Sequence, residues 1–229
     1  MSVKLFFNDF QLPSYVKVTG IEESLLPVFD DERYRYIKVN FNIRRYRMLS
    51  EEQIKEFSTW LRGNNFEYSK LSLPGREDSY YMAIVNNSVD ITDGLRLGKG
   101  TIEFKCRPNR IQKLINSINF TASQTIDYSG TVSTYPIITL DVVQECEEIK
   151  LSFSNDQSTN HIKLVGHFNS GQKIIIDCRK KKLTVDELLK MQILTLDSYF
   201  HQLKTGSNKY TLMSGNCNVS IHWQNEYLS

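Results

Sequence analysis

The side chains of this sequence that could do chemistry are few and lie far apart. Its four histidines are His161, His167, His201 and His222. None of them is four residues from another on a helix, and none stands beside a carboxylate in a known ligand pattern, as the common zinc motifs require. We therefore expect no metal site.

The four cysteines are also widely separated, and no C-x-x-C pair occurs. Cys106, Cys178 and Cys217 fall in apolar strand patterns, where a free cysteine behaves as a small hydrophobic residue. With Cys146, they are expected to be reduced rather than paired in disulfides. This expectation fits folding in a reducing cytoplasm.

Motifs of known enzymes are missing from the sequence. It contains no G-x-S-x-G, no H-E-x-x-H and no P-loop, and Gly94, Gly98 and Gly100 lack the strand–loop–helix setting of a phosphate cradle. Asp186 and Glu187 are adjacent, so the fold would have to aim both carboxylates at one pocket before they could act as acid and base. We predict no catalytic residue, no cofactor and no enzymatic activity.

Basic residues are concentrated at Arg179-Lys180-Lys181-Lys182. Such a run can displace counterions from phosphates, but it has no interleaved aromatic residues and lies between two apolar stretches, which favours a solvated hairpin turn. A second group, Arg44, Arg45 and Arg47, could protect an edge strand or contact another subunit. The net charge of +2 is too small to indicate a nucleic-acid-binding face.

Length and composition predict two folded domains. The chain has 229 residues, of which 40% are hydrophobic and 24% charged, enough apolar material for two cores. The polar, Ser- and Thr-rich stretch 121–134 is expected to connect the domains, which we place at 1–125 and 126–229. The N-terminus lacks an apolar signal segment, and no stretch approaches the ~20 apolar residues of a membrane helix.

The first half alternates in a way that predicts strands. Asn8-Asp9 favours a tight hairpin, and residues 14–20 favour a short strand. The clearest alternation of apolar and polar residues is at 37–44. Residues 22–35 carry mixed charge without a period and are expected to form a long loop.

One helix is predicted between Ser50 and Gly63. Ser50 and Gln53 have the spacing of a capping box, and Gly63 is a typical helix terminator. An apolar stripe at three- and four-residue spacing predicts that the helix lies flat on a sheet. The stripe consists of Ile54, Phe57, Trp60 and Leu61.

Residues 78–107 are expected to form a central hairpin. The strand at 80–85 is apolar on both faces, whereas 100–106 places Ile102, Phe104 and Cys106 on one face only. We expect the helix to cover one face of the hairpin and the sheet containing 37–44 to cover the other. Because Pro108 has no amide hydrogen, pairing is expected to stop near Arg107.

The second half shows short strands at even intervals, which is typical of a β-sandwich. A hairpin turn is predicted at 169–171, and one or two helical turns are possible within 186–203. The predicted strands are 136–143, 148–153, 161–168, 172–178, 183–185 and 218–223.

The order of these features resembles the distal tail proteins of long-tailed bacteriophages with non-contractile tails. The resemblance rests on the N-D hairpin, the capped helix, PGREDSYYMAIV and GKGTIEFKCRP, followed by HIKLVGHFNSGQKIIIDC, LDSYFHQLKTGSNKYTL and NVSIHWQNEYL. It covers nearly the whole chain. It implies a mainly β (β-rich α+β) protein in which a β-sandwich-like domain with one packed helix precedes a galectin-like antiparallel β-sandwich.

The resemblance also implies a role and a set of partners. Six copies of the first domain would form a ring with an open centre for DNA in transit, between the major tail tube protein and the tail hub. The second domains would meet receptor-binding or other baseplate proteins. The implied location is the virion tail tip, after assembly in the host bacterial cytoplasm. No catalytic residues belong to such a hub, and which residues form the subunit interface is unknown.

A different class of function is a stand-alone carbohydrate-binding module or adhesin. Exposed aromatic residues can stack on sugars, and the chain has 12 tyrosines and 12 phenylalanines, most of which a core would use. The sugar-contacting residues of true galectins are not matched, because His167-Phe168-Asn169-Ser170 lacks the arginine and no tryptophan follows nearby.

Overall fold

The computed structural model describes residues 4–26, 34–43, 49–86 and 98–228. Contacts between Cα atoms divide the chain into two compact units. One comprises Met1–Lys113 with Leu228–Ser229, and the other comprises Leu114–Tyr227. The domain bounds 1–125 and 126–229 stay a prediction.

In its described residues, the first unit is an antiparallel sheet with one helix, α1 (Glu51–Arg62). Its strands follow the order β3-β4-β7-β6-β5-β1-β2. Their bounds are β1 (Phe6–Phe7), β2 (Phe10–Gln11), β3 (Val16–Leu26), β4 (Tyr34–Ile43), β5 (Ser69–Ser72), β6 (Ser79–Val85) and β7 (Lys99–Phe120). The last residues of β7 belong to the second unit.

The predicted N-terminal hairpin is confirmed. Asn8 and Asp9 have φ angles of 52° and 64°, the left-handed region that a two-residue turn of this class needs and that Asn and Asp tolerate better than most residues. Phe7 and Phe10 pair across the turn. The hairpin therefore follows from local turn chemistry.

The one-sided strand is confirmed within β7. Ile102, Phe104 and Cys106 are fully buried, while Thr101 on the opposite face is exposed. In the pairing with β4, Phe104 lies opposite Ile37. Alternating burial on both strands gives the sheet one apolar face.

The predicted helix and both of its caps are confirmed. The Ser50 hydroxyl accepts a hydrogen bond from the Gln53 backbone N–H at 3.3 Å, and the Gln53 side chain accepts one from the Ser50 backbone N–H at 3.1 Å. The helix ends before Gly63, whose φ of 56° favours glycine. Phe57, Trp60 and Leu61 of the stripe are buried.

Pairing does not stop at Arg107, which corrects the prediction based on Pro108. In the β6–β7 ladder, Tyr81 lies opposite Arg110 and Ala83 lies opposite Cys106, so the register shifts between these pairs. Pro108 falls within the shift, where a missing backbone donor costs little. The strand continues because proline is tolerated at a bulge.

Two further expectations for the first unit are wrong. Residues 22–35 are not one long loop, because β3 extends to Leu26 and β4 begins at Tyr34; residues 27–33 lie outside the described part. In addition, β4 lies beside β7 in the same sheet, so it is not a second layer over the 78–107 hairpin. Both strands carry charged residues, such as Glu23 and Arg35, that form ion pairs across the ladder. These charged residues interrupt the apolar alternation from which a strand is predicted.

The second unit is a sandwich of two antiparallel sheets, as predicted. The sheets have the orders β14-β13-β12-β9-β16 and β11-β10-β15-β8. The strands are β8 (Ser123–Tyr128), β9 (Ile137–Val142), β10 (Cys146–Asn155), β11 (Ser158–Phe168), β12 (Lys173–Asp177), β13 (Lys182–Val185), β14 (Leu188–Leu189), β15 (Gly206–Ser214) and β16 (Cys217–Leu228). Met191–Ile193 forms one turn of 3-10 helix, within the region where helical turns were possible.

The polar stretch 121–134 is not simply a connection, because it contains β8, which pairs with β15. Ile126 and Tyr128 are buried, while Thr125 and Asp127 are exposed, so an edge strand was concealed by its polar outer face. The sequence interpretation also missed β15. These two strands complete one layer of the sandwich.

A polar network joins the end of β8 to β16. The Tyr128 hydroxyl donates to the Val132 carbonyl oxygen at 2.6 Å and accepts from the Glu226 backbone N–H at 3.0 Å. A Cβ atom on Gly130 would lie 2.1 Å from the Tyr128 hydroxyl oxygen and 2.7 Å from the Glu226 carbonyl oxygen. Only glycine fits between these groups without moving them.

Replacing Phe104 with Asp should abolish soluble, folded protein. The substitution puts an unpaired carboxyl group in a fully buried site, a loss of more than about 3 kcal/mol in unfolding free energy. Soluble yield and thermal unfolding measure the effect. Phe66→Asp is the matched control, because Phe66 is exposed with a φ of 64° that Asp tolerates better. Wild-type stability of Phe104→Asp would refute the prediction.

Gly130→Ala should destabilise the second unit by about 1–3 kcal/mol, because the new methyl group overpacks the Tyr128 network. Urea unfolding measures the change. Gly166→Ala serves as the control, since its Cβ would meet its nearest atom, Ile193 Cγ2, at an ordinary 3.5 Å. Equal stabilities of the two variants would show that the network has room to adapt.

Candidate functional site

A cluster of charges in the first unit connects β3, β4 and the turn before β6. Arg35 is buried and pairs with Glu23 at 2.9 Å, and the partly exposed Arg76 pairs with the same carboxylate at 2.9 Å. The Arg76 guanidinium also donates to the Tyr81 hydroxyl at 3.3 Å. One carboxylate thus binds two arginines, which suits a structural link better than proton transfer.

A groove in the first unit lies between the β1–β2 hairpin and α1. It has a volume of about 470 Å³. Trp60 lines it and donates from Nε1 to the Phe10 carbonyl oxygen at 3.0 Å, while the Phe10 ring is 68% exposed. Glu52, Lys55 and Glu56 line its helix side. An exposed aromatic ring beside an apolar groove is typical of surfaces that contact other proteins.

A second cavity, of about 560 Å³, lies entirely in the second unit. It is formed by the turn between β10 and β11, the segment 199–204 and Tyr135. Its aromatic lining is Tyr135, Phe153, Tyr199 and Phe200, and its amide lining is Asn155, Gln157, Asn160 and Gln202. Aromatic faces and neutral polar groups together suit a ligand that has both apolar and hydrogen-bonding surface.

His201 also lines this cavity and is almost completely buried. Its ring stacks on Phe153 with a centroid separation of 3.5 Å, and its Nε2 shares a hydrogen bond with the Tyr210 hydroxyl. Burial lowers the pKa of His201 to about 3, so the imidazole is neutral near pH 7. Its Nδ1 has no hydrogen-bond partner among the described residues.

The segment that carries Tyr199 is fixed to β11. The Thr195 backbone N–H donates to the Lys163 carbonyl oxygen at 3.0 Å, and that of Tyr199 donates to the His161 carbonyl oxygen at 2.9 Å. His161 Nε2 lies 2.9 Å from Asp197 Oδ2. Hydrogen bonds from Thr195 and His161 hold the pKa of Asp197 at about 2. The wall of the cavity is therefore held at both ends of the segment.

The four histidines do not come together. His161 meets Asp197, His167 lies 3.3 Å from Glu145, and His222 is half-buried on β16. In the described ranges, no three His, Cys, Asp or Glu side chains are grouped to hold a metal ion.

All four cysteines are free thiols, and three of them are buried. Burial raises the pKa of Cys178 and of Cys217 to about 12 and raises that of Cys106 further. A thiol with so high a pKa is a poor nucleophile at neutral pH, so these three serve as packing groups.

The basic run lies at the hairpin between β12 and β13, as predicted, with residues 179–181 in the turn and Lys182 at the start of β13. Arg179 pairs with the buried carboxylate of Glu226, which also accepts from the Thr134 hydroxyl at 3.0 Å. Lys180 lies 3.8 Å from Asp177. At least half of the run is thus engaged with carboxylates of the chain itself.

The remaining candidates have structural positions or lie outside the described residues. Asp186 and Glu187 have φ angles of 47° and 69° at the turn between β13 and β14, and Asp186 accepts a hydrogen bond from the Lys173 backbone N–H at 3.0 Å. Gly98 precedes β7, and Gly100 lies within it. Gly94, Arg44, Arg45 and Arg47 lie outside the described residues.

The cavity in the second unit escaped the sequence interpretation because its lining comes from three separate stretches of the chain. The weak signal was the cluster Tyr199-Phe200-His201-Gln202 in a region without a clear period. Among the described helices, none is long and apolar enough to cross a membrane.

Comparison with known proteins gave a family match over part of the chain and a similar fold over the whole of it. Residues 129–227 match the sequence model of a family described as siphovirus-type tail component, C-terminal domain. The whole fold is similar to the crystal structure of SPP1 Dit, described as a paradigm of the hub adsorption apparatus in phages that infect Gram-positive bacteria. The TM-score is 0.77 at 16% identity, covering 100% of each chain.

More distant similarity exists to structures of the phage p2 baseplate in its activated conformation. The TM-score is 0.49 at 10% identity for both the Sr and the Ca structure. The match to the Sr structure covers 96% of this chain and 97% of the other chain. The match to the Ca structure covers 97% of this chain and 98% of the other chain. These scores are too low to support an argument. No curated protein matches the sequence. The family match and the SPP1 Dit fold confirm the mainly β fold and the resemblance to siphophage distal tail proteins.

Stability of the second unit should fall between pH 7.5 and pH 5 because of His201. Its folded-state pKa is depressed to about 3 from the ordinary 6.5, so the unfolded chain binds the extra proton as pH falls below 6.5 and unfolding becomes easier. Urea unfolding at both pH values measures the difference.

His201→Gln removes the titrating group and should flatten this pH dependence. An equally steep pH dependence in His201→Gln would assign the effect to other groups.

Proposed function

We propose that this chain is a structural protein of the siphophage tail tip. Six copies form a ring that joins the tail tube to the baseplate and its receptor-binding proteins, with an open centre for DNA in transit. The observation that carries the proposal is the SPP1 Dit fold over the full length of both chains, together with the tail-component family match at residues 129–227.

Ion pairs between carboxylates and arginines in the two units support a structural role. Glu23 binds Arg35 and Arg76 in the first unit, and Glu226 binds Arg179 in the second. Each of these carboxylates is bound by at least one arginine, an arrangement that serves to connect structural elements. The proposal includes no enzymatic activity.

The net charge supports passage of DNA. With a formal charge of only +2, the chain as a whole has little excess of cations with which to hold phosphates. A strongly basic wall would bind the duplex by counterion release and oppose its movement. We propose that DNA is a transient occupant and that the lasting partners are the tube protein, the tail hub and baseplate proteins.

The location follows from the role. The chain is proposed to be made and assembled in the host bacterial cytoplasm and then carried at the virion tail tip. Its four free cysteines suit a reducing compartment.

Light scattering and negative-stain imaging test the ring. The protein is purified alone and with the tail tube protein of the same phage, since some rings close only beside their partners. We expect particles with six-fold symmetry and a central hole, at six times the chain mass of 26.7 kDa for the protein alone.

A monomer in both preparations at all concentrations would contradict the ring. That outcome would favour the alternative function, a stand-alone carbohydrate-binding module or adhesin. The two proposals are separated by the assembly state, since an adhesin needs no closed ring.

A further inference from the structure

The cavity of the second unit has the chemistry of a sugar site. We propose that it binds a neutral saccharide, with Tyr199 as the stacking surface and Asn160 and Gln202 as hydrogen-bonding groups. This inference goes beyond the tail-tip role and does not rest on it, because it uses only the residues that line the cavity.

Aromatic side chains supply the apolar contact that a sugar ring needs. Tyr199 is 57% exposed, and Tyr135 and Phe200 are half-buried beside it. The C–H groups of a pyranose form a flat apolar surface, and a tyrosine ring offers a matching face together with a polar hydroxyl at its edge. One exposed ring beside two half-buried rings fits a ligand that is apolar on its face and polar at its rim.

The polar lining is mostly amide. Asn160 and Gln202 are half-buried, and an amide both donates and accepts hydrogen bonds, which matches the two roles of a sugar hydroxyl. Asn155 is occupied differently, because its Oδ1 accepts from the backbone N–H groups of Gln157 at 2.9 Å and Ser158 at 3.0 Å. Asn155 therefore shapes the turn that presents Asn160.

Charge argues for a neutral ligand. Among the described residues that line the cavity, none is a carboxylate, and Lys204 is the one side chain that is charged near pH 7. His201 is neutral at that pH, as its burial requires. A site built for an anion would concentrate cations or arginine forks, and this one does not.

The cavity is pre-formed. Its volume of about 560 Å³ falls within the roughly 300–1,000 Å³ of ordinary small-molecule sites. Backbone hydrogen bonds from Thr195 and Tyr199 to β11 hold the wall in place, so little ordering entropy is lost on binding. None of His167, Phe168, Asn169 and Ser170 is in its lining, so the proposed site does not use the galectin-like HFN segment.

Saturation-transfer NMR tests the proposal on the full-length chain. The neutral probes are glucose, galactose, N-acetylglucosamine, rhamnose, maltose and lactose, and glucuronate is the charged comparison; each is titrated to obtain a Kd. We expect saturable binding of at least one of them. Tyr199→Ala and Asn160→Ala should each weaken it by roughly two- to tenfold.

Leu196→Ala is the matched control, because Leu196 is fully exposed on the same segment but does not line the cavity, and it should bind like the wild type. Circular dichroism confirms that each variant is folded. Three results would overturn the proposal: no saturable binding of any probe, unchanged Kd in both cavity variants, or tighter, salt-sensitive binding of glucuronate through Lys204.

Discussion

The first unit depends on the burial of one side chain, Phe104, near the start of β7. Its backbone lies opposite Ile37 of β4 and Val85 of β6, and its ring lies 5.1 Å from that of Phe7 and 6.4 Å from that of Trp60. One residue therefore meets two strands, the N-terminal hairpin and the helix. Because aromatic edges fit in few ways at these separations, burial of this ring also fixes where the helix crosses the sheet. The groove between hairpin and helix is a consequence of that arrangement.

The second unit combines an apolar core with a polar network at the ends of its sheets. Buried residues from both sheets form one cluster, while Tyr128, Glu226 and Arg179 connect the edge strand β8, the last strand and the β12–β13 turn. A buried carboxylate is costly unless it is paired, so this network specifies how the ends of the sheets meet. The cavity lies at the β10–β11 turn, and the ring of Tyr135 in its lining is 5.5 Å from the Arg179 guanidinium of this network. The rest of the lining comes from a turn and a connecting segment, where sites on a rigid scaffold usually vary.

Local signals were readable from the sequence, and non-local ones were not. Asn8-Asp9, the Ser50–Gln53 capping box and the alternation through Phe104 depend on neighbouring residues, and the structure confirms all three. The strands hidden within 22–35 and 121–134 carry charged or polar outer faces whose partners lie elsewhere in the chain. The prediction that pairing stops near Pro108 was wrong for a similar reason, since the bulge that tolerates this proline depends on the register with β6. The residues that line the cavity come from three stretches that are far apart in the sequence, so no local sequence pattern predicts it.

The fold and the tail-component family match support the proposal that this chain is part of a larger particle. The most direct test is gold labelling of intact phage particles with antibodies raised against this chain, viewed by electron microscopy. The account predicts label at the far end of the tail, opposite the head, in every labelled particle. Label along the tube or on the head, or antigen found only as free protein beside unlabelled particles, would contradict it.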